Sequence, residues 1–282
     1  MTKAFGGSKL GDRLKRNGLL VVLLLYTVFC AGPFAWLTVL SLRRTSEISA
    51  DPYGLPTPAH WEQFAMAWTN SHYNVYFWNS TVVVVAAVAL VTVIGAMGAH
   101  GLARYRFRGN RLVLFLIFST IIFPAQITIL SLFQVLVSYG LFNSRTGLTL
   151  VYVSVQLPLT IYILESFFRR MPQDLFDAAK LDGYSDFEIF WRLTLPIGLP
   201  AIATTVIVNF IMLWNEFLFA VVLIADDDKR TLPLGIQKFM GDQMQDIGMI
   251  SAGMMISILP VIIIYGFFSE TLIRGMTAGA IK

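Results

Sequence analysis

Apolar residues fall in long blocks along this chain, parted by short charged intervals, and do not alternate at the spacing of a soluble helix with one wet face. The first block lies between Arg16 and Arg43, and the second runs from about Tyr76 to Leu102. The third and fourth are separated by the region from Gly140 to Arg145. The fifth begins after Pro196 and ends before Asp226, and the sixth runs from about Gly248 to Ser269. A span needs roughly 20 apolar residues to cross about 30 Å of hydrocarbon, so the pattern predicts an all-α polytopic membrane protein with six transmembrane helices. Pro33, Pro124, Pro158 and Pro260 interrupt the helical ladder inside or near spans. The expected organisation is a cytoplasmic segment over 1–16, then a first helix and outer loop over 17–72. A five-helix core over 73–270 follows, containing a cytoplasmic loop at 169–198, and 271–282 form a cytoplasmic tail.

Composition supports this class. Hydrophobic residues make up 56% of the chain and charged residues 13%, more apolar surface in longer runs than one soluble core of this size could hide. Lys and Arg set the orientation. With both termini inside, the cytoplasmic set is Lys3, Lys9, Arg13, Lys15, Arg16, Arg104, Arg106, Arg108, Arg111, Arg169, Arg170, Lys180, Arg192, Arg274 and Lys282. The opposite side holds Arg43, Arg44, Arg145, Lys229, Arg230 and Lys238. This bias puts both ends in the cytoplasm. It also accounts for the net charge of +4 without nucleic acid. The first block reads as an uncleaved helix and not a signal peptide. Cys30, inside it, reads as a packing residue.

The residues offer little for catalysis. His60, His72 and His100 lack the paired spacing of a metal site. Gly6-Gly7-Ser8-Lys9 has neither the Gly-Lys-Ser/Thr order of a phosphate loop nor a strand before it. The sequon at Asn79-Ser80-Thr81 falls at the start of a span, out of reach of a transferase. The expectation is a chain with no catalytic site, no metal and no cofactor of its own.

The loop between the fourth and fifth blocks is the informative segment. Pro172 suits a first helical turn, Asp174 and Asp177 place negative charge near a helix N-terminus, and Gly183 supplies a left-handed stop. Ser185 can cap a second short helix through Phe190, closed by Pro196. Ala178 and Ala179 remove bulk from one face, while Asp174, Asp177, Lys180 and Asp182 charge the edge. Such a helix suits docking into a groove, and equally a solvated connector.

The run Asp177-Ala178-Ala179, Asp182-Gly183, Phe190 and Leu195-Pro196 resembles the EAA loop of the membrane subunits of binding-protein-dependent ABC importers. Asp177 stands where that family usually has Glu, and Tyr184 where it usually has Ala. Ser41-Leu42-Arg43-Arg44, Phe77-Trp78-Asn79-Ser80, Arg104 to Gly109, Trp214-Asn215-Glu216-Phe217 and Gly275 to Lys282 are similar, in order, to the maltose-type sugar permeases. The resemblance implies a type I ABC importer permease fold in a bacterial inner membrane, amid lipid. It implies a second permease subunit, two ATPase subunits that bind ATP and magnesium, an external solute-binding protein and a carbohydrate. Asp177, Ala178, Ala179, Asp182, Gly183, Phe190 and Pro196 would then couple to the ATPase. A permease for a non-sugar solute, and a six-helix receptor or enzyme, remain as alternatives.

Polar residues inside the spans are the candidates for the path or its gate. Thr205, Asn209, Met212 and Glu216 recur at spacings of four, three and four, one face of a continuous fifth helix, with Trp214 and Asn215 beside them. Asn79 begins the second span, Gln126 follows Pro124, and Gln156 precedes Pro158. Each could line a sugar path or bond helix to helix. Glu165 is expected to pair with Arg169. The segment from Thr45 to Tyr73 and the run Asp226 to Arg230 are expected to lie outside and receive the binding protein, with Trp61, Trp68, Tyr76 and Trp78 serving equally well as interfacial anchors.

Overall fold

The structure, a computed structural model, describes residues 9–70, 72–242 and 246–278. Gly6 to Ser8, and Gly279 to Lys282 of the terminal motif, lie outside the described residues. All regular elements among the described residues are helical. They fall in two compact units, Met1–Ala67 with Gln243–Met255, and Trp68–Asp242 with Ile256–Lys282.

The first unit holds α1 (Lys9–Ser41), α2 (Thr45–Ala50) and the start of α3 (Glu62–Asn70). Within α1, Arg16–Ser41 is long and apolar enough to cross a membrane, and its side chains from Leu19 to Phe29 are exposed. An apolar surface of that length suits a lipid environment. Beyond α1 the chain folds on buried polar groups. Arg43 is buried and donates to the carbonyls of Glu47 and Asp51. His60, 8% exposed, places Nε2 at 2.7 Å from Glu47 and Nδ1 at 2.8 Å from Glu62, so the ring bridges α2 and α3. Arg44 pairs with the same Glu62 at 2.9 Å. Both ring nitrogens can donate only when the imidazole is protonated.

The second unit is built on α4 (Tyr73–Arg104) and α7 (Arg145–Phe168), with α10 (Leu195–Trp214) packed on both. Small residues bring α4 close to α7. A Cβ on Gly95 would stand 2.4 Å from Thr160 Cγ2, and Thr160 is fully buried and accepts from Asn209 Nδ2 at 2.9 Å. Gly and Ala let membrane helices approach backbone to backbone, where packing replaces the missing hydrophobic drive. α5 (Asn110–Ile122) packs on α7, α11 (Leu218–Leu223) on α6 (Ile129–Ser138) and α7, and α12 (Leu232–Asp242) on α4.

Among the described residues, five helices are long and apolar enough to span the membrane as single pieces: Arg16–Ser41, Tyr73–Arg104, Arg145–Phe168, Asp186–Trp214 and Ile247–Phe268, the last within α13 (Ile247–Ala278). The third expected span departs from a straight helix. Asn110–Ile122 and Ala125–Ser138 meet at 93°, because Pro124 holds Phe123 in extended backbone. The fifth span also differs from expectation. It starts at Asp186, ahead of Pro196, and stops at Trp214.

Two outcomes follow from this packing. Gly95→Val should cost about 1–3 kcal/mol by overpacking against Thr160, read as a lower thermal midpoint in detergent. Gly101→Ala, in open space, should stay within about 0.5 kcal/mol of wild type. For the first unit, hydrogen bonds to Glu47 and then Glu62 raise the pKa of His60 above 6.5. Arg44 leads in lowering Glu62 to about 2, and His60 leads in lowering Glu47. The His60 contribution is therefore complete below 6.5 and lost as pH rises through its raised value. The carboxylate contributions are complete above 4.5 and lost as pH falls through their lowered values. Amide exchange in residues 44–62 should slow on acidification into that window, and His60→Gln should abolish the alkaline part of the dependence.

Candidate functional site

The loop after α7 forms α8 (Gln173–Leu181), a turn, and α9 (Asp186–Ile189). Pro172 precedes α8 and has no N–H to leave unsatisfied. The end of α8 is a Schellman turn: Tyr184 N donates to Ala179 O at 3.0 Å and Gly183 N to Lys180 O at 3.1 Å. Gly183 has φ +84°, a conformation that glycine adopts without strain. A capping box then starts α9. Ser185 Oγ accepts from Glu188 N, and Glu188 Oε2 accepts from Ser185 N.

The turn is tied from outside as well. Lys180 reaches Asp186 at 3.6 Å, and burial, then Asp186, push the Tyr105 hydroxyl up to about 12.

α9 is not a separate helix, as Ser185 through Phe190 had suggested. It runs into α10 through a π-turn at Phe190–Thr194, with Leu195 N donating to Phe190 O. The wider turn carries the chain past Pro196, which sits at the start of α10 without disrupting it. Thr194 Oγ1 lies 3.0 Å from His100 Nδ1, and the His100 ring packs on Phe190. The loop thus continues directly into the fifth span.

The seven coupling candidates divide by face. Phe190 and Ala179 are buried in a cluster with Phe176, Ala99, Leu164, Phe168 and Ala201, where they hold the loop to α4, α7 and α10. Ala179 is therefore unavailable to a partner, contrary to the reading of two small residues on one open face. The two alanines are adjacent, about 100° apart on a helix, so only one can face outward. Asp177, Ala178, Asp182 and Gly183 are exposed, and Pro196 lies on an open apolar surface beside Trp191 and Leu199. Asp177 Oδ1 accepts from Gln173.

Sequence reasoning passed over the apolar members of this face. Leu181 is 90% exposed and Phe187 is exposed with it; bulky apolar residues among the loop charges were the available signal. It also passed over Arg104. Its guanidinium stacks over the Phe176 ring at 3.7 Å and donates to the carbonyls of Phe168 and Met171.

The path candidates do not form one lining. Thr205 is buried and bonds Ala201 O of its own helix, Asn209 is buried against Thr160, and Met212 is exposed. Glu216 lies beyond the end of α10, so the four do not share a continuous helix face. The break occurs because Glu216 serves α11 as an acceptor: Oε1 takes Phe219 N at 2.8 Å and Oε2 takes Ala220 N at 3.2 Å. Tyr152 donates to the same Oε2 at 2.7 Å.

Trp214 is buried, stacked on Phe210, edge-on to Phe77, and donates to Ser257 O. The Trp214 ring is thus packed inside the chain and is not open to a sugar. Asn215 is exposed and donates to Ile211 O. Asn79 donates to Asp228 O and Arg230 O and accepts from Arg145 Nη1, joining α4, α7 and the acidic loop. Gln126 is exposed at the bend of the third span, and Gln156 is buried. Glu165 and Arg169 form the expected ion pair.

Comparison with known proteins agrees with this architecture. Residues 91–278 match the family described as binding-protein-dependent transport system inner membrane component. The chain is 37% identical over 263 residues to the diacetylchitobiose uptake system permease protein of Streptomyces coelicolor, covering 93% of this chain and 87% of that one. It is 31% identical to the trehalose/maltose transport system permease protein of Thermococcus litoralis, covering 95% and 98%. Among solved structures, a chain of the bacterial alginate ABC transporter in complex with an alginate pentasaccharide-bound periplasmic protein superposes with a TM-score of 0.68 at 13% identity, covering 92% of this chain and 96% of that one. With its bent third span, its loop welded to α4, α7 and α10, and this match, the chain belongs to the inner membrane components of binding-protein-dependent transport systems and has the type I ABC importer permease fold.

Proposed function

We propose that this chain is one of two permease subunits of an ATP-driven importer for a carbohydrate, delivered by an external solute-binding protein, and that α8 docks on one of two ATPase subunits. The sugar class is supported by relatives named for diacetylchitobiose and for trehalose and maltose. Docking rests on one observation: α8 turns Ala178, Leu181 and Asp182 outward while Phe176 and Ala179 lock it to three spans. A push on α8 is thus delivered to α4, α7 and α10 together.

ATP and magnesium belong to the partner subunits in this reading, and the permease contributes movement, not chemistry. The charge bias supports a cytoplasmic α8 and cytoplasmic termini. The Thr45 to Tyr73 segment and the acidic loop at Asp226 to Arg230 then meet the binding protein outside. Glu216 and Asn79 shape this outer end by fixing backbone. Alternating access requires both ends to bias one equilibrium, and the welded bundle supplies the connection.

Proline at Gly183 cannot adopt φ +84°, so Gly183→Pro should lose transport and the stimulation of ATPase activity by loaded binding protein, while the subunit still inserts. Full uptake by this variant would sink the coupling role. Leu181→Asp should weaken ATPase copurification and leave insertion unchanged. A Leu181→Cys variant, assembled without the ATPase, should react with a membrane-impermeant maleimide only after the cells are permeabilised; labelling of intact cells would reverse the orientation.

A further inference from the structure

A cavity of about 1410 Å³ opens where α4 ends, α5 begins and α7 ends, at the same end of the bundle as α8. Four arginines line it, Arg104, Arg106, Arg111 and Arg169, and no Asp or Glu does. Glu165 neutralises Arg169. Arg104 spends its terminal nitrogens on carbonyls, and its buried Nε has no acceptor. Among the described residues, no carboxylate pairs with Arg104, Arg106 or Arg111. Arg106 and Arg111 therefore leave the cavity with about two uncompensated positive charges, Arg104 being set against the C-terminal ends of α4 and α7.

The backbone adds to this field. The N-terminus of α5 lies on the cavity wall through Gly109, Asn110 and Arg111, and its first turn has no acidic residue and no side-chain cap. A helix N-terminus carries about half a positive charge, and an arginine there is unfavourable unless an anion faces it. Asn110 fixes the turn by donating to Leu102 O and Tyr105 O. The lining is apolar at its edge, where Phe107 and Leu112 are 48% and 60% exposed. A half-open basic cavity with an apolar lip, at the end of three spans, fits a ligand with a phosphate at one end and hydrocarbon at the other.

We propose that this cavity binds the phosphate headgroup of an anionic phospholipid, with its acyl chains running along α5 from Leu112. The site lies at the membrane end that presents α8, so the bound lipid belongs to the leaflet facing the ATPase. This inference rests on the membrane-spanning reading and not on the substrate class. Arg104 positions α7 and α8 and is left intact in the test.

The experiment uses the assembled transporter in nanodiscs of phosphatidylcholine with a minor fraction of cardiolipin. Retained lipid is counted by native mass spectrometry after delipidation. Each arginine near a bilayer surface is worth about a factor of five for an anionic lipid, so the double variant Arg106→Gln/Arg111→Gln should retain cardiolipin roughly thirtyfold more weakly. Arg108→Gln, on the same turn but outside the lining, should retain it as wild type does. Equal retention in the double variant, or an equal loss in Arg108→Gln, would overturn the proposal. Displacement of cardiolipin by millimolar inorganic phosphate would also overturn it, since the cavity would then select a soluble phosphate. Loss of copurified acidic protein, in place of lipid, would assign the cavity to a protein partner instead. A transporter that fails to take up sugar yet shows the expected lipid pattern would leave this inference standing, so the two readings fail separately.

Discussion

The placement of the loop that carries α8 depends on Arg104. Its guanidinium lies flat on Phe176 and donates to the carbonyls of Phe168 and Met171. Phe168 ends α7 and its carbonyl also accepts from Met171 N at 3.2 Å, so the side chain from the end of α4 adds its donors to that turn and seats α8. A cation is favourable at this point, because the negative ends of the α4 and α7 dipoles meet there. Lysine would carry the charge but not the flat stacking or the forked donation. With Ala179 and Phe190 in the same cluster, α8 cannot shift without dragging the ends of three spans.

A second constraint acts where spans break. Backbone groups freed inside a membrane protein must find partners among the protein's own atoms. At the end of α10 the carboxylate of Glu216 takes the amides that begin α11. After α11, Asn143 Oδ1 accepts from Ala225 and Asp226, each at 3.0 Å. At the turn between α4 and α5, Asn110 Nδ2 donates to the carbonyls of Leu102 and Tyr105. Residues with the look of a sugar-reading set are therefore spent on their own backbone.

That assignment marks where sequence reading succeeds and where it stops. Long apolar blocks and the positions of Lys and Arg locate the spans, because hydrocarbon thickness fixes their length. Pro172, Gly183 and Ser185 give the loop its shape, since each signals through local backbone chemistry. What fails is orientation about an axis. A nine-residue helix with adjacent alanines does not reveal which one faces inward; only the cluster of Phe176, Ala179 and Phe190 decides it. Placing Glu216 on the face of Thr205 and Asn209 assumed an unbroken helix. The break at Trp214 is held locally by Glu216 on the amides that begin α11 and at long range by Tyr152 to Glu216 and Trp214 to Ser257, and the long-range part is encoded in no local pattern. The π-turn at Phe190 was equally hidden, although Pro196 marked the neighbourhood.

These contacts connect the two ends of the core. α7 is 24 residues long, about 36 Å at 1.5 Å per residue. At one end Arg145 holds Asn79 and, through it, the carbonyls of the acidic loop. At the other end Phe168 and Met171 hold Arg104, while about two turns from the first end Tyr152 grips Glu216. α10 runs alongside, continuous with α9 at one end and stopping at Trp214, two residues short of Glu216, at the other. Packed helices joined by buried hydrogen bonds move as a body more cheaply than they deform. Displacement of α8 must then appear at the Asn79 and Glu216 ends as a shift of whole elements, and the loops fixed by those two side chains must move with them.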